Sequence, residues 1–207
     1  MNDEDKLLML FVKNPERGKV KTRLAETVGK DYALEIYKEL LQYTVEIARR
    51  TKAHKAVFYS DHIDDNDELI SDLEFNKYLQ NGQDLGERMK NAFQLAFDKG
   101  FKRVIIIGSD CFELNSEIIN NAFDKLNNKD VILGPAEDGG YYLLGLNELR
   151  YGLFEEMQWG TENVLLDTLI EIKKKGYSYH MLPSLSDIDT YEDLKKYYKK
   201  YKAHKAE

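Results

Sequence analysis

Short runs of apolar residues alternate along the chain with longer segments in which apolar residues recur at helical spacing. Runs 7–12 and 103–107 are almost entirely apolar, which is typical of strands buried on both faces of a sheet. Segment 31–50 carries apolar side chains every three or four residues and predicts an amphipathic helix. This alternation predicts an α/β fold with a mostly parallel sheet flanked by helices.

Turn residues bound most of the remaining segments. The close pair of strands around Gly139 and Gly140 indicates that one strand runs antiparallel to the rest.

The length of 207 residues fits one domain, with residues 1–5 and 203–207 expected to be disordered tails. The predicted strands are 7–12, 56–59, 75–80, 103–107, 131–133, 141–144 and 177–182, and the predicted helices are 31–50, 84–99, 115–126, 161–175 and 190–202.

Composition and charge exclude several classes of protein. The only cysteine, Cys111, has no intrachain partner, so a disulfide framework is excluded. Acidic residues outnumber basic ones 37 to 30, and the net charge of -7 argues against nucleic acid or an anionic membrane as the main partner. The first residues lack the basic start of a signal peptide, and no apolar run approaches the roughly 20 residues of a membrane span. We therefore expect a cytoplasmic protein.

Several familiar catalytic motifs are missing from the chain. It contains no G-x-G-x-x-G, no P-loop, no H-E-x-x-H, no paired C-x-x-C and no G-x-S-x-G. The usual dinucleotide site, a P-loop enzyme, a zinc site and an α/β-hydrolase nucleophile are therefore not expected. Cys111 lacks an obvious histidine partner, and a small buried residue is its simpler interpretation.

A basic loop follows the first predicted strand. Residues 13–23 carry five cations and one acid in a chain that is acidic overall. The loop is expected at the carboxyl edge of the sheet, where open α/β folds bind ligands, and its Lys and Arg side chains can clamp phosphate groups. The alternative is a solvated basic loop. The candidate phosphate-binding residues are Lys13, Gly18, Lys21, Thr22 and Arg23.

Two acidic motifs are candidate metal sites. Asp110 follows the strand 103–107, and Asp187 and Asp189 alternate in an extended segment, so both can face one ion. Carboxylates and phosphate oxygens are the ligands that Mg²⁺ and Mn²⁺ prefer. The alternative is that these residues cap the helices that follow them.

Two glycine-containing loops offer further binding groups. In 134–142, Glu137 and Asp138 can bind sugar hydroxyls, and Asp138 can serve as a general base. Loop 80–88 precedes a helix and can contact a nucleobase and its ribose. The alternatives are a plain hairpin turn for the first loop and a strand-to-helix turn for the second. The candidate residues are Glu137, Asp138, Gly139 and Gly140 in the first loop, and Gly82, Asp84 and Arg88 in the second.

These motifs resemble those of a bacterial family of GT-A-like glycosyltransferases, the DUF2064 type, associated with arsenosugar biosynthesis. The resemblance extends from about residue 7 to residue 195. The family is similar to 2-phospholactate guanylyltransferases and molybdenum-cofactor guanylyltransferases. Phe112 stands where the family usually has proline, and Gly160 stands where serine usually follows Trp159. The matching segments are 11–24, 82–89, 108–111, 134–143 and 187–190.

The resemblance implies a GT-A fold like that of nucleotide-diphospho-sugar transferases, with a mixed, mostly parallel sheet in one domain. It implies a nucleotide-activated donor and Mg²⁺ or Mn²⁺ as cofactor. The roles it implies by position are phosphate binding for Lys13, Lys21 and Arg23, metal binding for Asp110 and for Asp187 or Asp189, nucleoside contact for 82–84, and sugar or acceptor contact for Glu137, Asp138 and Gly140.

Three hypotheses about function follow. The first is metal-dependent transfer of a sugar from a nucleoside-diphosphate donor to a small acceptor, with Asp138 and Lys21 as the catalytic candidates. The second is nucleotidyl transfer from a nucleoside triphosphate, which releases pyrophosphate. The third is a nucleotide-binding regulator without catalysis. A homodimer is compatible with each of the three.

Overall fold

The computed structural model describes residues 3–64, 67–155 and 157–204. Within these ranges the chain forms a seven-stranded sheet in which every neighbouring pair is parallel except the two that involve the sixth strand. The predicted α/β class and the single antiparallel strand are both confirmed. The strands are β1 (Lys6–Val12), β2 (His54–Tyr59), β3 (Asn76–Leu79), β4 (Arg103–Ile107), β5 (Val131–Pro135), β6 (Tyr141–Leu146) and β7 (Tyr179–Met181), in the order β3-β2-β1-β4-β6-β5-β7.

Helices cover both faces of this sheet. Successive residues of β1 alternate between the faces. Leu8 packs in the cluster that contains the helices Lys30–Arg49 and Ser116–Lys125, and Met9 packs in the cluster that contains the helices Leu85–Asp98 and Val164–Lys175. This double burial explains why the strand is continuously apolar. The helices are α1 (Thr22–Val28), α2 (Lys30–Arg49), α3 (Leu85–Asp98), α4 (Ser116–Lys125), α5 (Val164–Lys175) and α6 (Tyr191–His204). None of the helices in the described ranges is long and apolar enough to cross a membrane.

Helix α1 was not expected from the sequence, which places Thr22–Val28 in or just after the basic loop. Its first residue follows Lys21, whose side chain makes no capping hydrogen bond, so the usual start signal is missing. A seven-residue helix is unstable alone. It forms because Leu24 is fully buried against Ile36 and Leu40 of α2.

The structure describes part of each predicted tail. Asp3–Asp5 form a short 3-10 turn. The Asp5 carboxylate pairs with Arg103, and its carbonyl accepts a hydrogen bond from the Lys102 N–H at 2.9 Å, which anchors this end to β4. Helix α6 continues to His204, inside the predicted tail 203–207. Residues 1–2 and 205–207 lie outside the described residues.

The loop before α5 is held on α3 by a close contact between Gly86 and Trp159, the only tryptophan of the chain. A Cβ added to Gly86 would lie 1.9 Å from Trp159 Nε1. The indole also contacts the rings of Tyr141 and Phe154, each with centroids 6.4 Å away. Only glycine at position 86 admits this packing.

Gly86→Ala is therefore expected to destabilise the protein by about 1–3 kcal/mol, because the added methyl group displaces the indole. In a Trp159→Ala background the same substitution is expected to stabilise by up to about 1 kcal/mol, since alanine is the better helix former. Urea denaturation of the four proteins of this cycle measures both effects. Destabilisation of equal size in both backgrounds would contradict the contact.

Candidate active site

A cavity of about 540 Å³ lies at the carboxyl ends of the central strands. Lys13 follows β1 directly, and Gly108 to Asp110 follow β4, so these residues meet at the cavity as the parallel strands require. Phe11 and Met89 contribute apolar walls. A smaller cavity of about 180 Å³ adjoins it and is lined by Lys13, Lys21, Thr22, Arg23, Tyr37, Asp110 and Asp189.

Lys21 lies at the centre of the charged part of this site. Its side chain is only 3% exposed, and its ammonium pairs with Asp110 and with Asp189 Oδ1, the latter at 3.1 Å. Among the described residues it is the only non-glycine residue with positive φ, at φ 47° and ψ 47°. Burial by itself would lower the pKa of Lys21, but the two carboxylates outweigh burial and raise it. Lys21 is therefore a buried side chain that keeps its positive charge.

Asp189 is held by cations on both sides. Arg23 Nη2 lies 2.6 Å from its Oδ2, opposite the contact with Lys21. Burial tends to raise the pKa of Asp189, but Lys21 and Arg23 more than compensate and lower it. Thr190 and Asp193 make the capping interaction at the start of α6, so Asp189 is not needed as the cap.

Asp187 is a buried carboxylate of this site. Among the described residues, its Oδ1 has no hydrogen-bond partner. Burial, followed by repulsion from Asp110, raises the pKa of Asp187 to about 7. Both Asp187 and Asp110 line the large cavity. Asp110 is not a helix cap either, because Asn115 caps α4 by accepting the Ile118 N–H at 2.9 Å.

Tyr37 is a site residue that sequence reasoning missed, because it falls in the apolar stripe of α2. Its hydroxyl accepts the Lys13 N–H and donates to the Lys13 carbonyl, both at 2.8 Å, and lies 3.3 Å from Ser109 Oγ. Burial raises the pKa of Tyr37 to about 12, so the hydroxyl stays protonated. It joins the loops after β1 and β4. The available signal was a tyrosine in a buried stripe, where its hydroxyl needs a partner.

Only part of the basic loop faces the site. Arg17 makes a two-contact pair with Asp31 at 2.6 and 2.9 Å, and Lys19 pairs with Glu16 at 2.7 Å. Gly18 lies in a turn beside Lys30 and does not line either cavity. The structure brings Lys13, Lys21, Thr22 and Arg23 together as predicted and leaves Gly18 outside.

In the loop before α3 as well, only some of the predicted site residues line a cavity. Asp84 caps α3 by accepting the Glu87 N–H at 2.8 Å. Its carboxylate therefore has the structural role expected in a strand-to-helix turn. Arg88 lines the large cavity, and its Nε donates to the Gly82 carbonyl at 3.1 Å. Contact of Arg88 with a nucleotide stays a prediction, as do the roles of Asp84 and Gly82.

The loop after β5 is a tight turn outside the lining of both cavities. Asp138 accepts the Gly140 N–H at 3.0 Å, and Glu137 accepts the Ser186 hydroxyl at 2.7 Å. A Cβ on Gly139 would lie 2.0 Å from the Glu162 carbonyl oxygen. These contacts are those of a plain hairpin turn, the alternative stated for this loop. The roles of Glu137, Asp138, Gly139 and Gly140 with substrate stay predictions, and Asp138 is near enough to act on the pKa of Asp187.

The residue beside Asp110 that departs from the family pattern is held by packing. Phe112 is buried, and its ring stacks on Tyr197 with centroids 4.5 Å apart. Cys111 is also buried, and burial raises the pKa of its thiol to about 12. A thiol held protonated in this way is a poor nucleophile, which agrees with the simpler interpretation of Cys111.

The donor set fits a hard divalent cation in part. Asp110, Asp187 and Asp189 supply carboxylate oxygens, and the unpartnered Asp187 Oδ1 is a free acceptor. In the described part of the chain, however, no three His, Cys, Asp or Glu side chains converge as a complete metal site. The Lys21 ammonium contacts both Asp110 and Asp189.

Comparison with solved structures defines the class of protein. A candidate nucleotide-diphospho-sugar transferase from Desulfovibrio desulfuricans G20 is 36% identical, with a TM-score of 0.86 over 92% of this chain and 85% of that one. A cytidylyltransferase from Leptospira borgpetersenii serovar Hardjo-bovis shares the fold at 15% identity, with a TM-score of 0.58 over 92% of this chain and 84% of that one. Rv0371c from Mycobacterium tuberculosis H37Rv, in complex with manganese, shares it at 9% identity, with a TM-score of 0.55 over 92% and 96%.

The protein is thus a transferase of the nucleotide-diphospho-sugar transferase fold. The profile of a bacterial family described as "Uncharacterized protein conserved in bacteria (DUF2064)" matches residues 43–161. The chain belongs to this family, which confirms the resemblance noted from the sequence. No curated protein matches the chain in sequence.

Proposed function

We propose that the protein is a metal-dependent transferase that moves a sugar from a nucleoside-diphosphate donor to a small acceptor. The observation that carries the proposal is the meeting of a cationic group and an acidic group at one edge of the sheet. Lys13, Lys21 and Arg23 line the small cavity, and Asp110 and Asp189 lie in both cavities. The relative from Desulfovibrio desulfuricans, a candidate nucleotide-diphospho-sugar transferase, supports a donor of this class.

The two cavities suit different parts of such a donor. The small one is almost entirely polar and carries three cations, which matches a diphosphate. The large one has apolar walls that include Phe11 and Met89, which matches a nucleoside or sugar ring and the acceptor. They share Lys13 and Asp110, so a donor spanning both places its phosphates beside the carboxylates.

In the reaction, the basic side chains stabilise the negative charge that develops on the departing diphosphate. Helix α1 holds the backbone of Lys21 and Tyr37 holds the backbone of Lys13, so both side chains start from the lining of the small cavity. Asp110, Asp187 and Asp189 would hold Mg²⁺ or Mn²⁺, which would supply Lewis-acid stabilisation of the phosphate oxygens.

Nucleotidyl transfer is the second candidate function. The small cavity, with Lys13, Lys21 and Arg23, also suits the β- and γ-phosphates of a nucleoside triphosphate, which would leave as pyrophosphate. The products separate the two reactions: nucleoside diphosphate supports glycosyl transfer, and pyrophosphate supports nucleotidyl transfer.

A thermal-shift panel of nucleotide sugars and nucleoside triphosphates, with Mn²⁺ or with chelator, tests the proposal. A ligand at 100 times its Kd stabilises by about 2.7 kcal/mol, which raises Tm by roughly 5–10 °C for a chain of this size. We expect a Mn²⁺-dependent rise with at least one donor, followed by turnover with that donor. Binding that survives chelation, without turnover, would instead support a regulator.

Two arginines of the basic loop provide a matched pair for this panel. Arg23→Met should lose most of the nucleotide shift, because Arg23 lines the small cavity. Arg17→Met should keep it, because Arg17 pairs with Asp31 away from both cavities. Equal losses in the two variants would contradict the assignment of the small cavity to phosphate.

A further inference from the structure

We infer that the Lys21 ammonium and a divalent cation compete for Asp110 and Asp189, so that Lys21 controls access to the cation site. The inference rests on the proposed function, because it concerns the same carboxylates. It adds that metal and phosphate bind as coupled partners, with the Lys21 side chain as the coupling element.

The competition follows from the contacts. The ammonium touches Asp110 and lies 3.1 Å from Asp189 Oδ1, so it uses oxygens that a metal would need. An ammonium and a divalent cation repel each other at contact distance, and water screens little of that repulsion around a side chain that is 3% exposed. One of the two cations must leave for the other to bind.

The backbone at Lys21 indicates that this arrangement is more than a structural ion pair. A lysine at φ 47° is strained, and such residues concentrate at sites where the strain serves a function. Helix α1 begins at the next residue and is fixed by the buried Leu24, so the backbone of Lys21 is held in place. The side chain is then the part that can move.

An anion bound in the small cavity would be an alternative partner for the Lys21 ammonium. Lys21 lines that cavity together with Lys13, Thr22 and Arg23, so a phosphate there is within its reach. When the ammonium turns to phosphate, Asp110 and the Oδ1 of Asp189 are released for a cation beside Asp187 Oδ1, while Arg23 keeps Asp189 Oδ2. Each ligand then strengthens the binding of the other by the same factor.

The test is Mn²⁺ binding to the full chain in the absence of nucleotide. Binding is measured as the loss of the electron paramagnetic resonance signal of free Mn²⁺. We expect Lys21→Met to bind Mn²⁺ at least tenfold more tightly than Lys13→Met. Both variants remove one positive charge from the small cavity, but Lys13 is exposed and makes no ion pair with Asp110 or Asp189. Sulfate, used as a phosphate-like dianion, should tighten Mn²⁺ binding to the wild type and leave Lys21→Met unchanged.

Equal Mn²⁺ affinity in Lys21→Met and Lys13→Met would overturn the competition, and a wild type indifferent to sulfate would overturn the coupling. If Lys21→Met does not fold, Lys21→Gln retains hydrogen-bond donors for the carboxylates and is held to the same tenfold criterion. No turnover enters these measurements. A negative result in the Mn²⁺ comparison therefore does not contradict the transferase proposal, which the nucleotide panel tests. A negative result in the panel likewise does not contradict the Mn²⁺ competition.

Discussion

Asp110→Asn is expected to abolish the Mn²⁺-dependent part of the nucleotide shift and to lower turnover by a factor on the order of 10²–10³. The substitution preserves the size of the side chain and removes the charge that faces Lys21. In the proposed reaction it also removes a carboxylate from the metal. Thermal shifts with and without Mn²⁺ measure the first effect, and initial rates with the donor found in the panel measure the second.

Asp124→Asn is the matched control, because Asp124 is an exposed carboxylate on α4 that lines neither cavity. It should keep both the Mn²⁺ response and the rate. A full Mn²⁺-dependent shift in Asp110→Asn would show that Asp110 does not bind the metal, whatever happens to the rate.

Asp187→Asn is expected to stabilise the metal-free protein by about 2–4 kcal/mol above pH 7. Burial, with help from Asp110, raises the pKa of Asp187 to about 7 in the folded protein, against an ordinary value of 3.8. Ionised Asp187 therefore opposes folding above pH 7. The stability difference between variant and wild type should be nearly absent at and below pH 4 and should grow between pH 4 and pH 7. Urea denaturation across that range, in the presence of chelator, measures it.

Asp189→Asn is the control of opposite sign. Although Asp189 is partly buried, Lys21 and Arg23 lower its pKa, so its ionised form stabilises the folded protein. This contribution is present above pH 4 and is lost as the pH falls through the lowered pKa. Asp189→Asn should therefore destabilise the protein at neutral pH and less so in acid. If both variants shifted stability in the same direction, the electrostatic account of the site would be wrong.

These expectations rest on positions that the sequence located only in part. The apolar runs that became β1 and β4 identified Lys13 and Asp110 as residues at strand ends, and the structure places both at one cavity. The periodicity was sufficient because burial on both faces of a central strand leaves few polar positions. The edge of the sheet therefore followed from the sequence alone.

The remaining site residues were harder to place from the sequence. Asp84 and Asp138 were candidates for ligand binding, but their carboxylates accept backbone N–H groups at a helix start and in a tight turn. Such residues serve both purposes with the same side-chain chemistry, and only the local geometry separates the two. Tyr37 was assigned to the core because its spacing is that of a buried residue, and its hydroxyl contacts depend on loops far away in sequence.

The sequence by itself determined which segments form the sheet, and that a basic loop and an acidic strand end share one edge of it. That information is local, because side-chain periodicity reports burial segment by segment. The tertiary structure decided which charges meet: Arg17 pairs with Asp31, whereas Lys21 reaches Asp110 and Asp189. Ion pairing depends on distances between side chains from remote segments, and the spacing of residues along a chain does not encode those distances.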